Sequence, residues 1–315
     1  MKSLPTSLIG AIGNTPLVEL KRLTPNNGSR VLVKLENKNP SGSAKDRSAL
    51  AMIEAAERSG SLRPGVRVVE ATGGSAGTSI AMICAVKGYD STIVTSDAFT
   101  DEKLQTMRAF GANLEIIHGE HGKGTYPELL DRLVERAREL GDIEGNCYLG
   151  QMSNPANPIA YHRMADEILE QTDGAVDAFA MSVGTGGCFT GTMERLKECN
   201  PAVVGIAVEP DAYRHISGGP KGVHHIDGIG DGPPGVLFRY DLVDSTYSVT
   251  DKEANEIARE LASKEGIFCG KSSAANVLGA IRAANALGPG KTVVTVICDT
   301  GYKYLSSDLF DRAIP

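Results

Sequence analysis

What most constrains the fold of this chain is a repeated alternation of short β-branched runs with longer amphipathic stretches. Candidate strands lie at 31–35, 66–70, 92–95, 114–117, 178–183, 203–208 and 293–297. Between them, helical periodicity marks 46–58, 76–86, 101–110, 127–140, 159–170, 251–264 and 273–286. Strands that alternate with helices of this length predict an α/β architecture with mostly parallel sheets. The strands lack a strict apolar–polar alternation, as expected when helices cover both faces of a sheet.

At 315 residues the chain is long for a single core, and two coupled domains are the natural expectation. No linker separates them, so the chain crosses any boundary more than once. Gly is abundant, with 36 residues, which points to tight turns or close backbone approach to a ligand. The net charge of −7 carries no basic cluster of the kind nucleic-acid binding needs. Residues 1–13 do not read as a secretory signal, and no apolar run is long enough to span a bilayer. The six cysteines form no C-x-x-C pair, a pattern of reduced cytoplasmic thiols rather than a zinc site. Residues 211–238, rich in Gly, Pro and His, form the longest stretch without periodicity, and loops of that length are usually functional or mobile.

Four segments sit where a strand ends or a helix begins, the place where open α/β sheets bind ligands. In 39–47 (Asn-Pro-Ser-Gly-Ser-Ala-Lys-Asp-Arg), Pro40 and Gly42 set a turn, and Ser43 with Asp46 can cap the helix that follows. Lys45 then falls near a helix N-terminus, where a cation is disfavoured unless its amine is consumed in an imine; a solvated loop lysine is the plainer reading. Thr72, Gly73, Gly74, Ser75 and Ala76 open a helix whose exposed N–H groups suit a carboxylate or phosphate, or form only a tight turn. Gly184, Thr185, Gly186, Gly187 and Cys188 repeat that arrangement, with the Thr185 hydroxyl added. Residues 269–273 open another helix, where Ser272 needs no role beyond capping.

Other matches fail on context. Gly290-Lys291-Thr292 precedes a strand, whereas a phosphate-binding P-loop follows one. The 184–189 segment lacks the third glycine of a dinucleotide fingerprint. His118 with His121, and His224 with His225, lie in irregular sequence without carboxylates at ligand spacing, so no metal site is expected.

Taken together, the segments resemble the cysteine synthase and cystathionine β-synthase family of fold type II pyridoxal-phosphate enzymes. The resemblance rests on 9–17 (Ile-Gly-Ala-Ile-Gly-Asn-Thr-Pro-Leu), the lysine motif at 39–47, Gln151 to Asn157, the 184–187 loop, 207–210, 228–230, 269–273 and 301–306, in order along the chain. It implies two three-layer α/β/α domains like those of tryptophan synthase β: a larger one (1–40 and 148–315) and a smaller mobile one (41–147). It implies pyridoxal 5'-phosphate held as a Schiff base on Lys45, which then removes the substrate α-proton. Gly184, Thr185, Gly186, Gly187 and Cys188 would hold the phosphate, and Ser272 the pyridine nitrogen. Thr72 to Ala76, with Gln151, would take the substrate carboxylate, and Gly228 would lie near the reactive face. A neutral hydroxyl on the ring nitrogen weakens the electron sink and favours loss of a group from Cβ, giving an aminoacrylate. A homodimer in the cytoplasm is the implied assembly, and the chain ends too soon after Phe310 for a regulatory extension.

The sequence departs from the family at this site. Thr72-Gly73-Gly74-Ser75-Ala76 stands where Thr-Ser-Gly-Asn-Thr is usual, so Ser75 replaces the Asn that reaches the cofactor's ring hydroxyl. Residues 163–167 replace Thr-Thr-Gly-Pro-Glu, Lys271 replaces an apolar residue, and Asp231 follows Gly230. The expected reaction is β-replacement on O-acetylserine, O-phosphoserine or serine by a sulfur or other small nucleophile. The alternatives are a β-eliminating lyase, such as a cysteine desulfhydrase or serine dehydratase, and a non-catalytic binding relative. Retention of Lys45 and Ser272 argues against the last.

Overall fold

The computed structural model describes residues 6–120, 126–230, 232 and 234–311, so His121 and Asp231 lie outside the described residues. In chain order come β1 (Leu17–Glu19), β2 (Arg30–Lys34), α1 (Lys45–Ser59), β3 (Arg67–Ala71), α2 (Ser75–Lys87), β4 (Ser91–Ser96) and α3 (Asp101–Ala109). They are followed by β5 (Asn113–Ile117), α4 (Pro127–Gly141), β6 (Asn146–Tyr148), α5 (Ala156–Ile159), α6 (His162–Gln171), β7 (Ala178–Ser182) and α7 (Gly187–Cys199). The last are β8 (Val204–Pro210), β9 (Ser245–Val249), α8 (Asp251–Glu260), α9 (Lys271–Leu287) and β10 (Thr292–Val296).

The strands form two sheets. The six-stranded sheet runs β1-β2-β10-β7-β8-β9, and the four-stranded one β5-β4-β3-β6. All neighbours pair in parallel except β1 with β2. Successive residues of β7 show why no alternation is visible in the sequence. Ala178 and Ala180 pack with Val277, Ala280 and Ala284 of α9, while Phe179 and Met181 pack with Met164, Phe189 and Met193 of α6 and α7. In the smaller sheet Val68 and Ile93 face α1 to α3, and Val69, Ala71 and Val94 face Leu129 and Leu133 of α4. Each valine or isoleucine buried in this way contributes about 1.5–3 kcal/mol. Both units are therefore three-layer α/β/α. The N-terminal Ile12 packs with the small-sheet core, ahead of the lysine segment.

Local sequence explains the element ends. α1 stops at Gly60, which takes φ 77° and donates to Glu57 O. α8 starts with a capping box between Thr250 and Glu253. Three strands escaped the sequence reading (β1, β6 and β9), because they are three to five residues long and too short to show a period. The helix expected over 159–170 is divided into α5 and α6, and at that bend Gly191 of α7 packs against the Pro158 carbonyl. The 211–238 stretch holds no helix or paired strand among its described residues.

A buried charge network fixes α1. The Arg47 guanidinium donates to both oxygens of Glu36 (2.7 and 2.8 Å) and to both of Glu167 (2.9 and 2.7 Å). Lys34 Nζ lies 2.8 Å from Glu167, and all four side chains are at most 7 % exposed. The end of β2, α1 and α6 are thus joined two residues beyond Lys45.

Candidate active site

Lys45 is the first residue of α1, and its N–H donates to Ser43 Oγ at 3.1 Å. The turn before it rests on the end of β10, where Ala44 N–H donates to Cys298 O (2.8 Å) and Thr300 N–H to Gly42 O (3.1 Å). Gly42 needs its φ of 77° there, and a Cβ on it would stand 2.9 Å from the Thr300 methyl. Asp46 turns back on the turn and accepts from the Ser41 N–H (2.8 Å) and hydroxyl. Burial raises the Asp46 carboxyl, although these bonds and Ser79 oppose the shift. The half-buried Lys45 side chain makes no ion pair or hydrogen bond with any described residue.

Two thiols mark what surrounds that amine. Burial pushes Cys188 well above the ordinary thiol value and Cys298 up to about 12, and in each case the Lys45 charge opposes the rise. Cys188 sits in the first turn of α7 and Cys298 just beyond β10. Cys298 Sγ accepts from Asn276 Nδ2 (3.2 Å) and from the Ser272 hydroxyl. Ala44 N–H donates to Cys298 O and Cys298 N–H to Ser273 Oγ (2.8 Å each), and Cys188 packs in the same cluster as Ala44 and Cys298, so the segments of Lys45, Cys188 and Ser272, dispersed over more than two hundred positions, converge around Cys298.

The 184–188 loop is shaped by backbone. A Cβ on Gly184 would lie 2.6 Å from Gly228 O, and one on Gly187 would collide with Asn157. Gly186 has φ 86°. No side chain caps α7; Gly187 N–H and Asn157 Nδ2 both donate to the buried Thr185 hydroxyl at 3.3 Å. An uncapped 13-residue helix whose first turn is glycine and hydroxyl fits a phosphate group. A second uncapped start belongs to α2, where Thr72 Oγ1 accepts from Gly74 N–H at 3.1 Å. Gln151 lies beside it and donates to Ala71 O at 2.8 Å.

The altered positions Gly73 and Ser75 have partners, and Gly74 between them, which matches the family's glycine, is equally confined. A Cβ at Gly73 would lie 2.5 Å from the Phe99 ring, and one at Gly74 would lie 2.6 Å from the Lys103 chain. Ser75 donates to Asp299 Oδ2 (3.1 Å) and receives Lys303 Nζ (3.3 Å), so its hydroxyl is engaged across the cleft. Tyr304 OH also donates to Asp299 Oδ2 (2.7 Å), and Lys103 Nζ lies 4.4 Å from the Tyr304 ring centroid and 3.4 Å from Asp227. Sequence reasoning singled out none of Lys103, Asp227, Asp299 or Lys303. Lys103 reads as the polar face of an amphipathic helix, yet it is 4 % exposed, because the C-terminal segment covers that face.

The histidines have other work. His118 pairs with Asp97 at 2.7 Å, and His224 donates to Gly230 O at 3.0 Å. Among the described residues no group of three or more His, Cys, Asp or Glu gathers as a metal site, and no helix is long and apolar enough to cross a membrane. All six cysteines are free.

A lysine at a helix start, an uncapped glycine-rich helix and a buried serine thus occur in a molecule built on two α/β/α units of mostly parallel strands, the architecture of fold type II enzymes. The family model for pyridoxal-phosphate dependent enzymes matches residues 8–299, and the chain belongs to that family. It is 40 % identical over 302 residues to the cysteine synthase of Staphylococcus aureus, covering 95 % of each chain. It is 41 % identical to cysteine synthase B of Salmonella typhimurium over 301 residues, 95 % of this chain and 94 % of that one. Among solved structures it is similar to O-acetyl serine sulfhydrylase isoform 3 from Entamoeba histolytica, with TM-score 0.91, 35 % identity and coverage of 98 % of this chain and 92 % of that one. The protein is a pyridoxal-phosphate-dependent enzyme.

Proposed function

We propose that the enzyme replaces the β-substituent of O-acetyl-L-serine with a small sulfur nucleophile, as cysteine synthases do. The observation that carries this reading is the convergence of the Lys45, Cys188 and Ser272 segments around Cys298, beside an uncapped α7. Pyridoxal phosphate bound there supplies the electron sink for loss of a proton from Cα and of a leaving group from Cβ. Lys45 holds the cofactor through its Nζ and, once released, takes the Cα proton on that same atom. The 184–188 backbone N–H groups and Thr185 hold the phosphate. Ser272 presents a neutral hydroxyl to the ring nitrogen. The start of α2, with Thr72, Gly73, Gly74, Ser75, Ala76 and Gln151, orients the carboxylate, and Gly228, packed on Gly184, backs the reacting side.

The smaller unit, residues 41–147, closes on substrate, bridged to the remainder by Ser75 with Asp299 and by Glu102 with Ser306. The working enzyme is a cytoplasmic homodimer, which light scattering of the purified protein checks directly.

Borohydride reduction of the holoenzyme followed by peptide mapping tests the reading of the site, with the cofactor's mass expected on the Lys45 peptide. Incubation with O-acetyl-L-serine and sulfide is expected to yield cysteine, and Lys45→Ala to lower turnover by a factor on the order of 10²–10⁴. Pyruvate in place of cysteine would make the enzyme a lyase, and label on another lysine would refute the assignment.

A further inference from the structure

Glu70 is an acidic side chain with no cationic partner and no place in the reaction described above. It is fully buried near the end of β3 and makes no ion pair with any described residue. Because Val69 and Ala71 face the α4 side, strand alternation directs Glu70 to the opposite layer, where α1 and α2 pack.

Its two oxygens are occupied by backbone. Oε1 accepts from Ala71 N–H at 2.9 Å and Oε2 from Gln151 N–H at 3.1 Å, with the Gly150 N–H as a third donor. The Gln151 side chain answers by donating from Nε2 to Ala71 O at 2.8 Å. A closed ring thus joins Glu70, the Ala71 peptide and Gln151.

Sheet geometry explains why the ring is needed. β3 pairs with β6 through Val69 and Tyr148, and Leu149 N–H still reaches Val69 O at 3.1 Å. Beyond that point β6 has ended, while Thr72 N–H continues to Val94 O on the β4 side (3.0 Å). The Ala71 peptide is left with no strand on its other edge, and the Glu70 and Gln151 side chains take over both of its polar groups. The next residue is Thr72, the start of the carboxylate loop. From Gln151 the connection runs on, since Asn157 Nδ2 donates to Gln151 O (2.8 Å) and to Thr185 Oγ1 (3.3 Å) in the phosphate loop.

A carboxyl group suits this position because both of its oxygens can accept, and every backbone neighbour it touches donates. Burial raises its carboxyl to about 8 against those donors. An apolar residue would fill the space without that desolvation cost, but it would leave the Ala71 and Gln151 N–H groups unpaired.

We propose that Glu70 is a positioning residue: through the Ala71 and Gln151 peptides it sets the spacing between the Thr72–Ala76 loop and Gln151, and so the enzyme's affinity for the amino-acid carboxylate. This rests on the reading that the loop and Gln151 receive that carboxylate.

The test uses the holoenzyme and its Glu70→Gln variant, which is nearly isosteric but turns an amide NH₂ toward the Gln151 N–H. The dissociation constant for L-serine is read from the change in cofactor absorbance, and KM and kcat are measured with O-acetyl-L-serine and sulfide. Expected are about tenfold increases in the L-serine constant and in KM, with kcat within about twofold and cofactor affinity unchanged. Glu70→Asp keeps the carboxyl but is too short to span from the Ala71 N–H to the Gln151 N–H, so it serves if Glu70→Gln does not fold, and it should give the same split. An unchanged L-serine constant in the tested variant, or a fall in kcat with KM unmoved, overturns the proposal. Loss of cofactor together with both parameters makes Glu70 merely structural and also overturns it. Failure of the wild-type protein to show a cofactor band would instead refute the reading of the site.

Discussion

Replacing Arg47 with Met should destabilise the protein more than any surface ion pair could. Arg47 supplies four hydrogen bonds of 2.7–2.9 Å to two carboxylates, at 3 % side-chain exposure. With Lys34, Glu36 and Glu167 the four buried side chains are formally neutral; without Arg47 the buried three carry one unbalanced negative charge, and only the exposed Arg163, 3.6 Å from Glu167, stands beside them among the described residues. Lys34 stays within 2.8 Å of Glu167, but Glu36 loses its only ion-pair partner among the described residues and keeps only the Thr15 hydroxyl (2.6 Å) and Asn39 amide (2.8 Å). Breaking a buried pair from one side costs about 3–5 kcal/mol, a large share of the roughly 5–15 kcal/mol that stabilises a typical protein. Guanidinium chloride unfolding of the two holoenzymes, followed by circular dichroism, reads the loss as a lower midpoint. Arg47→Lys keeps the charge but not the fork, so it should fall between them. The acid limb adds a signed check. Burial raises the Glu167 carboxyl, but the bonds and charges of Arg47 and Lys34 and the Asn14 N–H outweigh this and hold it at about 2, below its ordinary 4.5. The group therefore contributes stability above pH 4.5 that is lost as pH falls toward 2, and that dependence should shrink in Arg47→Met. A loss under about 1 kcal/mol at neutral pH, with the acid limb unchanged, would refute the view that this network anchors α1.

Two further outcomes follow from the site's departures. Gly73→Ser places a Cβ 2.5 Å from the Phe99 ring, so it should cost about 1–3 kcal/mol of stability, and Phe99→Leu in the same chain should recover much of that. Additive losses in that double-mutant cycle, read from thermal midpoints, would mean the two residues are not coupled. Lys271 is 9 % exposed in the first turn of α9, where the helix dipole opposes a cation, and it pairs with no described residue. Lys271→Met should therefore raise stability by about 0.3–1 kcal/mol in denaturant titration, and a decrease would reveal a favourable contact for the ammonium.

The α/β class was legible because seven strands stand out as short β-branched runs between helices that carry their own period, and the two faces of β7 account for the missing alternation. The short strands had no period to read, and residues such as Lys103 and Glu70 had no local signal at all. Lys103 lies under Tyr304, two hundred positions away, and Glu70 meets the Gln151 N–H some eighty positions on, where β6 has ended. The same long-range logic bears on the altered 72–76 loop, which in isolation looked like erosion of a substrate site. Gly73 makes room for Phe99, and the Ser75 hydroxyl bonds to Asp299 and Lys303. Two of the three departures, Gly73 and Ser75, are matched by distant residues that fill the space or satisfy the hydroxyl, and the Glu70 ring pins the base of the loop to Gln151. A loop drifting free of function would accumulate voids and unpaired groups, whereas this one is re-tied at both ends. Gly73 and Ser75 are therefore built into the fold rather than left over from its erosion, and a non-catalytic relative is the weaker account of them.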